Sequence, residues 1–264
     1  MRVPLVVLWA AMAMPVAGRA AEMAYNENFI VLATDKTAAE AVLAEANRFR
    51  DELAREWFGE ELPASVGRTT INVELAEGEN RAFTWPAGGE GRRYHKIWLT
   101  TSRAEATGNT LRHEVVHVVL HTGCPGVLPA WADEGIASLY DDANRVEIRR
   151  KILAWYAKSG AWPELAPILA AEQIPADDQA GYSVAASLAR YLLSRRDKAT
   201  LLDFAAAGKR DGWDLALKTH YGIADVAELQ RNWQQWAGQQ QPLTSRLSAR
   251  QSGYGVQTQP NSGS

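Results

Sequence analysis

Apolar residues recur with a helical period from Thr37 to Phe58, where Ala41, Leu43, Ala44, Ala46, Phe49, Leu53 and Trp57 offer contacts and Gly59 and Pro63 end the segment. On either side of it the period drops to two. Asn28–Thr34 reads as a first strand, and Thr69–Leu75 alternates with Ile71, Val73 and Leu75 on one face. Gly88-Gly89-Glu90-Gly91 marks a turn, and Tyr94–Thr100 reads as another strand, with Ile97 and Leu99 on one side and Trp98 on the other. After residue 107 the pattern is helical almost throughout, near 108–122, 129–142, 144–158, 183–195, 198–207, 211–220 and 225–237. Trp162 through Pro175 reads as a loop or short helix crossing a rim. Gln239–Ser264, rich in Gln, Ser, Gly and Thr without apolar period, reads as disordered. No internal repeat is apparent. The pattern predicts an α+β fold, with a strand-rich lobe over residues 21–106, a mainly helical lobe over 107–237 and a tail over 238–264.

Within the first of the later helices stands Leu111-Arg112-His113-Glu114-Val115-Val116-His117. An α-helix turns about 100° and rises about 1.5 Å per residue, so His113 and His117 lie about 40° apart and about 6 Å apart along the axis. Both imidazoles can reach one cation, and zinc takes such nitrogens at roughly 2.0–2.1 Å in tetrahedral geometry. Glu114, about 60° around the helix from His117, is too close in sequence to serve easily as a further ligand but is well placed as a general base. Leu111, Val115, Val118 and Val119 on the opposite side anchor the helix, leaving the ligand face to border a cleft. His121 continues the series, but about 12 Å of rise separates it from His113, so it reads as a helix-end residue before a capping Gly123.

A third ligand must come from elsewhere. The metzincin pattern fails, because its Gly and third His positions are Leu120 and Gly123. The stretch from Pro129 to Tyr140 fits better: Pro129 suits a helix start, Trp131, Glu134 and Ser138 fall on one side, and Glu134 can face the His helix. Cys124, in the loop between the two helices, offers a zinc ligand in a different design but reads here as a small loop residue.

H-E-x-x-H at 113–117 followed by W-x-x-E-G at 131–135 resembles the gluzincin zinc metallopeptidases, specifically the compact bacterial peptidase MA-like group. The resemblance implies a thermolysin-like core with zinc between the lobes, one Zn2+ per chain held by His113, His117 and Glu134, Glu114 as the base, and a peptide or protein substrate. It also implies an oxyanion donor downstream. Tyr182, just after Gly181 at the start of an amphipathic helix, is the candidate, while His220 and Tyr221 read as a helix end capped by Gly222. Sixteen residues separate His117 from Glu134, somewhat fewer than in the thermolysin-like and aminopeptidase branches. Ser138 stands where thermolysin-like members carry an Asp that orients a ligand His, so Ser138, Asp133 or a backbone carbonyl must serve instead. The G-x-M-E-N motif of the aminopeptidase branch is absent, which favours endopeptidase action. In gluzincins an edge strand above the zinc helix binds the substrate backbone; Tyr94–Thr100 is either that strand or a plain central one.

Composition narrows the partners. A chain of 264 residues with 47% apolar composition supports one sizeable core, and a net charge of −3 with both signs interspersed points to neither nucleic acid nor an anionic membrane. Arg2, the short apolar run from Pro4 to Ala17 and the small residues around Gly18 and Ala20 read as a cleaved export signal ending at Ala20, too short for a spanning helix of about 20 apolar residues. No Cys follows it to carry a lipid, so the expected mature protein is soluble, without a stable membrane anchor, and periplasmic or secreted. A lone Cys excludes an internal disulfide. The competing readings are a non-catalytic zinc-binding or scaffold domain that kept the fold, and a pure interaction module with an accidental motif.

Overall fold

The computed structural model describes residues 21–64, 67–87, 94–124 and 128–240. The expected export signal, the Gly88–Gly91 turn and nearly all of the C-terminal tail lie outside these residues. The fold is α+β. A five-stranded mixed sheet is built from β1 (Glu22–Tyr25), β2 (Phe29–Ala33), β3 (Thr69–Leu75), β4 (Asn80–Ala87) and β5 (Tyr94–Thr101), in the order β1-β2-β3-β5-β4. β2, β3 and β5 run parallel, and β1 and β4 are antiparallel to their neighbours at the two edges. The parallel β2–β3 pair requires a crossover, supplied by α1 (Lys36–Phe58). The Asp35 side chain caps α1 at the Ala38 N–H, and Gly59 ends it with a left-handed φ of 76°.

The remaining described helices are α2 (Asn109–Gly123), α3 (Ala130–Ala137), α4 (Ala143–Ser159), α5 (Leu165–Ala170), α6 (Gln179–Arg195), α7 (Lys198–Asp211), α8 (Trp213–Tyr221) and α9 (Val226–Gln239). One continuous core joins the sheet to them. The inward face of the sheet carries Phe29, Val31, Ile71, Val73, Ile97 and Leu99, all buried, and α1 and α2 pack on that face. The outward face leaves Met23, Tyr25, Phe83, Trp85 and Trp98 exposed, with Phe83 stacked on Trp98 at 4.8 Å between ring centroids.

Several expectations change. The sheet gains two strands that the alternation did not single out. β1 is only four residues long, and β4 contains Pro86, which removes a backbone donor and is tolerated because β4 is an edge strand. Tyr94–Thr101 is therefore the central alternative, lying between β3 and β4, and the edge nearest α2 is β4. The single helix expected over 129–142 is broken: α3 stops at Ala137, a 3₁₀ turn covers Ser138–Tyr140, and Asp141 is extended before Asp142 caps α4. The helix expected from residue 183 begins at Gln179, because Asp178 accepts from the Gly181 N–H as its N-cap. The last helix continues to Gln239, into the start of the expected tail. Gly123 is not a left-handed cap. It lies in α2, and a Cβ there would stand 2.3 Å from the ring of Phe58.

The W-x-x-E-G glycine has a similar steric origin. A Cβ on Gly135 would lie 2.6 Å from the Ala185 carbonyl oxygen and 3.3 Å from the Ala189 Cβ, so α3 and α6 approach as closely as they do only because position 135 has no side chain. Trp131 on the same helix is fully buried against Phe204 and Trp213. Gly135→Ala should therefore destabilise the protein by about 1–3 kcal/mol in denaturant melts, the range for forcing a methyl into a packed core. An unchanged midpoint would show that the two helices are free to move apart.

Candidate metal centre

α2 is buried along nearly its whole length, and His113, Glu114 and His117 are buried with it. α3 lies beside it and directs Glu134 at the two imidazoles. His113 Nε2 and His117 Nε2 each lie 3.7 Å from Glu134 Oε2. The candidate ligand atoms of His113, His117 and Glu134 fall within 4.8 Å of one another. Tetrahedral zinc with bonds of roughly 2.1 Å sets its ligand atoms about 3.4 Å apart, so the cluster has the dimensions of such a site.

Two further observations test whether the residues fit a cation. Glu134 Oε2 is buried without a hydrogen-bond partner, an orphaned acceptor that costs free energy unless something positive meets it. The Nδ1 atoms, on the far sides of the two rings, both face carboxylates: His113 Nδ1 is 3.0 Å from Asp141 Oδ1, and His117 Nδ1 is 3.0 Å from Asp133 Oδ1. The first contact is a hydrogen bond. The second approaches the ring N–H out of line and acts as a charge contact. A metal-binding imidazole needs this arrangement, because a carboxylate at one nitrogen fixes the tautomer that offers the other nitrogen to the metal.

The electrostatics agree. Burial would lower the pKa of His117, but the carboxylates of Asp133, Glu134 and Glu114 override it and push the value up to about 10. Burial would raise Asp133 and Glu134, yet the imidazoles facing them hold both below the usual carboxylate range. A field that retains a proton so strongly is one that favours a metal cation in its place.

Asp141, whose side chain is wholly buried, also pairs with Arg149 of α4 and lies 3.8 Å from the Arg145 guanidinium. Arg145 in turn donates to Thr110 Oγ1 on α2 and to the Asn80 carbonyl on β4, both at 2.9 Å, tying the edge strand to the helix that carries the histidines. Ser138 is buried in the 3₁₀ turn with its hydroxyl unpartnered and serves neither histidine. Of the acceptors weighed from sequence, Asp133 takes that part for His117. Asp141 was not among them; the break after Ala137 and the 3₁₀ turn over Ser138–Tyr140 carry it to His113.

Glu114 is positioned from across the sheet. Thr84 pairs with Ile97 in the row Val31–Ile71–Ile97, so its side chain shares their inward face, and its hydroxyl donates to Glu114 Oε2 at 2.6 Å. Thr84 was missed with the strand that holds it; the alternation Arg81, Phe83, Trp85 against Ala82, Thr84 was the available signal.

Tyr182, in the first turn of α6, lines the same cleft as His113 and Glu114, with the Arg149 guanidinium 5.7 Å from its ring centroid. Burial, then the charges of Glu134 and Glu114, push its hydroxyl above the usual tyrosine range, so it keeps its proton at neutral pH. The cleft has a volume of about 650 Å³ and is walled by Arg81, Ala82 and Phe83 of β4 on one side and by α4 and Tyr182 on the other. Cys124, His220 and Tyr221 are not among the residues lining it. Burial raises the Cys124 thiol to about 11, as for an inert core cysteine. His121 stands in the last turn of α2, as expected, and its Nε2 lies 3.1 Å from Asp133 Oδ2 and its Nδ1 3.0 Å from His95 Nε2.

No family model matches the chain, and no curated protein matches it.

Asp141→Asn removes the carboxylate behind His113 while keeping the shape. It should weaken zinc binding by about 10- to 100-fold in chelator competition, the usual range for loss of such a partner. Glu134→Ala should abolish stoichiometric zinc in metal analysis, and full retention would place the third ligand elsewhere.

Proposed function

We propose that the protein is a zinc-dependent peptidase of gluzincin type, acting on peptides or proteins as an endopeptidase. The observation that carries this reading is the convergence of His113 Nε2, His117 Nε2 and Glu134 Oε2 on one point, with His113 and the adjoining Glu114 among the residues that line an open cleft. A structural zinc site is normally closed by four protein ligands and has no need of a base beside it, whereas three protein ligands at the edge of a cleft leave a position for a reacting group. A sheet over a helix bearing H-E-x-x-H, with the third ligand on the next helix, is the arrangement expected of a thermolysin-like core.

When bound, zinc supplies Lewis-acid polarisation at the point where the three ligands meet. Glu114 accepts the proton of the attacking water and delivers it to the leaving amine. The hydrogen bond from Thr84 occupies Oε2 and fixes the carboxylate plane, so Oε1 is the oxygen that exchanges the proton. Tyr182, protonated at neutral pH, donates to the carbonyl oxygen as negative charge grows on it. β4, an edge strand among the described residues, borders the cleft and offers backbone groups to an extended substrate. No described helix is long and apolar enough to cross a membrane. We place the protein in the periplasm or outside the cell on the character of residues 1–20.

The second reading, a zinc-binding domain without catalysis, keeps the metal and loses the turnover. Glu114→Gln separates the two. It should retain one zinc per chain and lose hydrolysis of an unfolded protein such as casein, and turnover equal to wild type would remove Glu114 from the chemistry. Tyr182→Phe should lower kcat by about a hundredfold or more with little change in KM, as for removal of an oxyanion donor. Equal kinetics would exclude that role.

A further inference from the structure

The carboxylate that faces His117 also reaches a further side chain of α2. Asp133 has two carboxylate oxygens. Oδ1 stands 3.0 Å from His117 Nδ1, and Oδ2 stands 3.1 Å from His121 Nε2. A carboxylate only accepts, so the proton in the second contact belongs to His121 Nε2. With Nε2 turned to Asp133, the other ring nitrogen, Nδ1, is the one that meets His95 Nε2 at 3.0 Å. A line of polar contacts thus runs from the carboxylate outward, through His121 on α2 to His95 on the inward face of β5.

Asp133 is also the residue immediately before the ligand Glu134. A side chain free to rotate there would leave His117 without its carboxylate, because the Asp133–His117 contact is itself out of line and does not lock the rotamer alone. We propose that His121, oriented by His95, is a positioning residue for the metal centre: its Nε2–H holds Asp133 against His117 and so fixes the ring that presents Nε2 to the metal. The proposal rests on the metal reading of His113, His117 and Glu134.

The test measures zinc affinity by chelator competition for the wild type, His121→Leu and His121→Gln, with Glu134→Ala as the control for the metal site. His121→Leu, which loses the donor, should bind zinc about 10- to 100-fold more weakly. His121→Gln, whose amide N–H can replace the Nε2–H, should recover most of that loss. Long-range 1H–15N spectra of the metal-free wild type should show His121 protonated at Nε2, a signature that a purely space-filling residue has no reason to share. Zinc affinity in His121→Leu equal to wild type, while Glu134→Ala loses the metal, overturns the proposal and leaves the metal site standing. Equal loss in both His121 variants, or a His121 Nε2 that carries no proton, overturns it as well. A wild type that takes up no zinc overturns the metal reading and this proposal together.

Discussion

The burial of α2 is the constraint on which the site depends. A helix whose flanks are Leu111, Val115, Val116, Val118, Val119 and Leu120 is taken out of water on almost every side; His113, Glu114 and His117 are buried with it, and His121 is half-buried. Each must find a partner or cost several kcal/mol. His113 finds Asp141, Glu114 finds Thr84, His117 finds Asp133, and His121 finds Asp133 and His95. These partners come from the loop after α3, from an edge strand, from α3 itself and from an inner strand. The polar requirements of one helix thereby fix where three other elements must stop, bend or pair.

What stays unsatisfied is as informative as what is satisfied. After those pairings the imidazole Nε2 atoms and Glu134 Oε2 remain facing one another, with the carboxylate oxygen unbonded. Folding turns two imidazole edges and a carboxylate toward one buried point, an arrangement that favours a positive charge there. The sterics cooperate: a glycine at 135 draws α6 against α3, and that approach sets Tyr182 over the cleft on the first turn of α6.

The local parts of this design were legible in the sequence. The 3.6-residue period placed α2, the i, i+4 spacing set His113 and His117 on one face, and the Trp131–Gly135 segment identified Glu134. The partners that arrive from a distance were not. Asp141 required a helix to break at Ala137, a break set by the capping of α4 by Asp142 rather than by any helix-breaking residue. Thr84 lay in a strand disguised by Pro86, and its reach to Glu114 depends on pairing with Ile97 across the sheet. His95 and His121 are separated by 26 residues, and only the packing of α2 beneath β5 joins them. Side-chain periodicity reports which face is buried; it carries no information on which element will cover it.

The edge strand has a consequence of its own. Among the described residues β4 is an edge of the sheet, beside exposed Phe83 and Trp85, with Trp98 next to them on β5. Such a ribbon accepts any extended chain, including the same strand of another molecule. The charge of Arg81 at one end and the donor missing at Pro86 near the other confine the usable length to a few residues. A longer edge would offer more backbone to any extended chain and would also invite the protein to polymerise with itself.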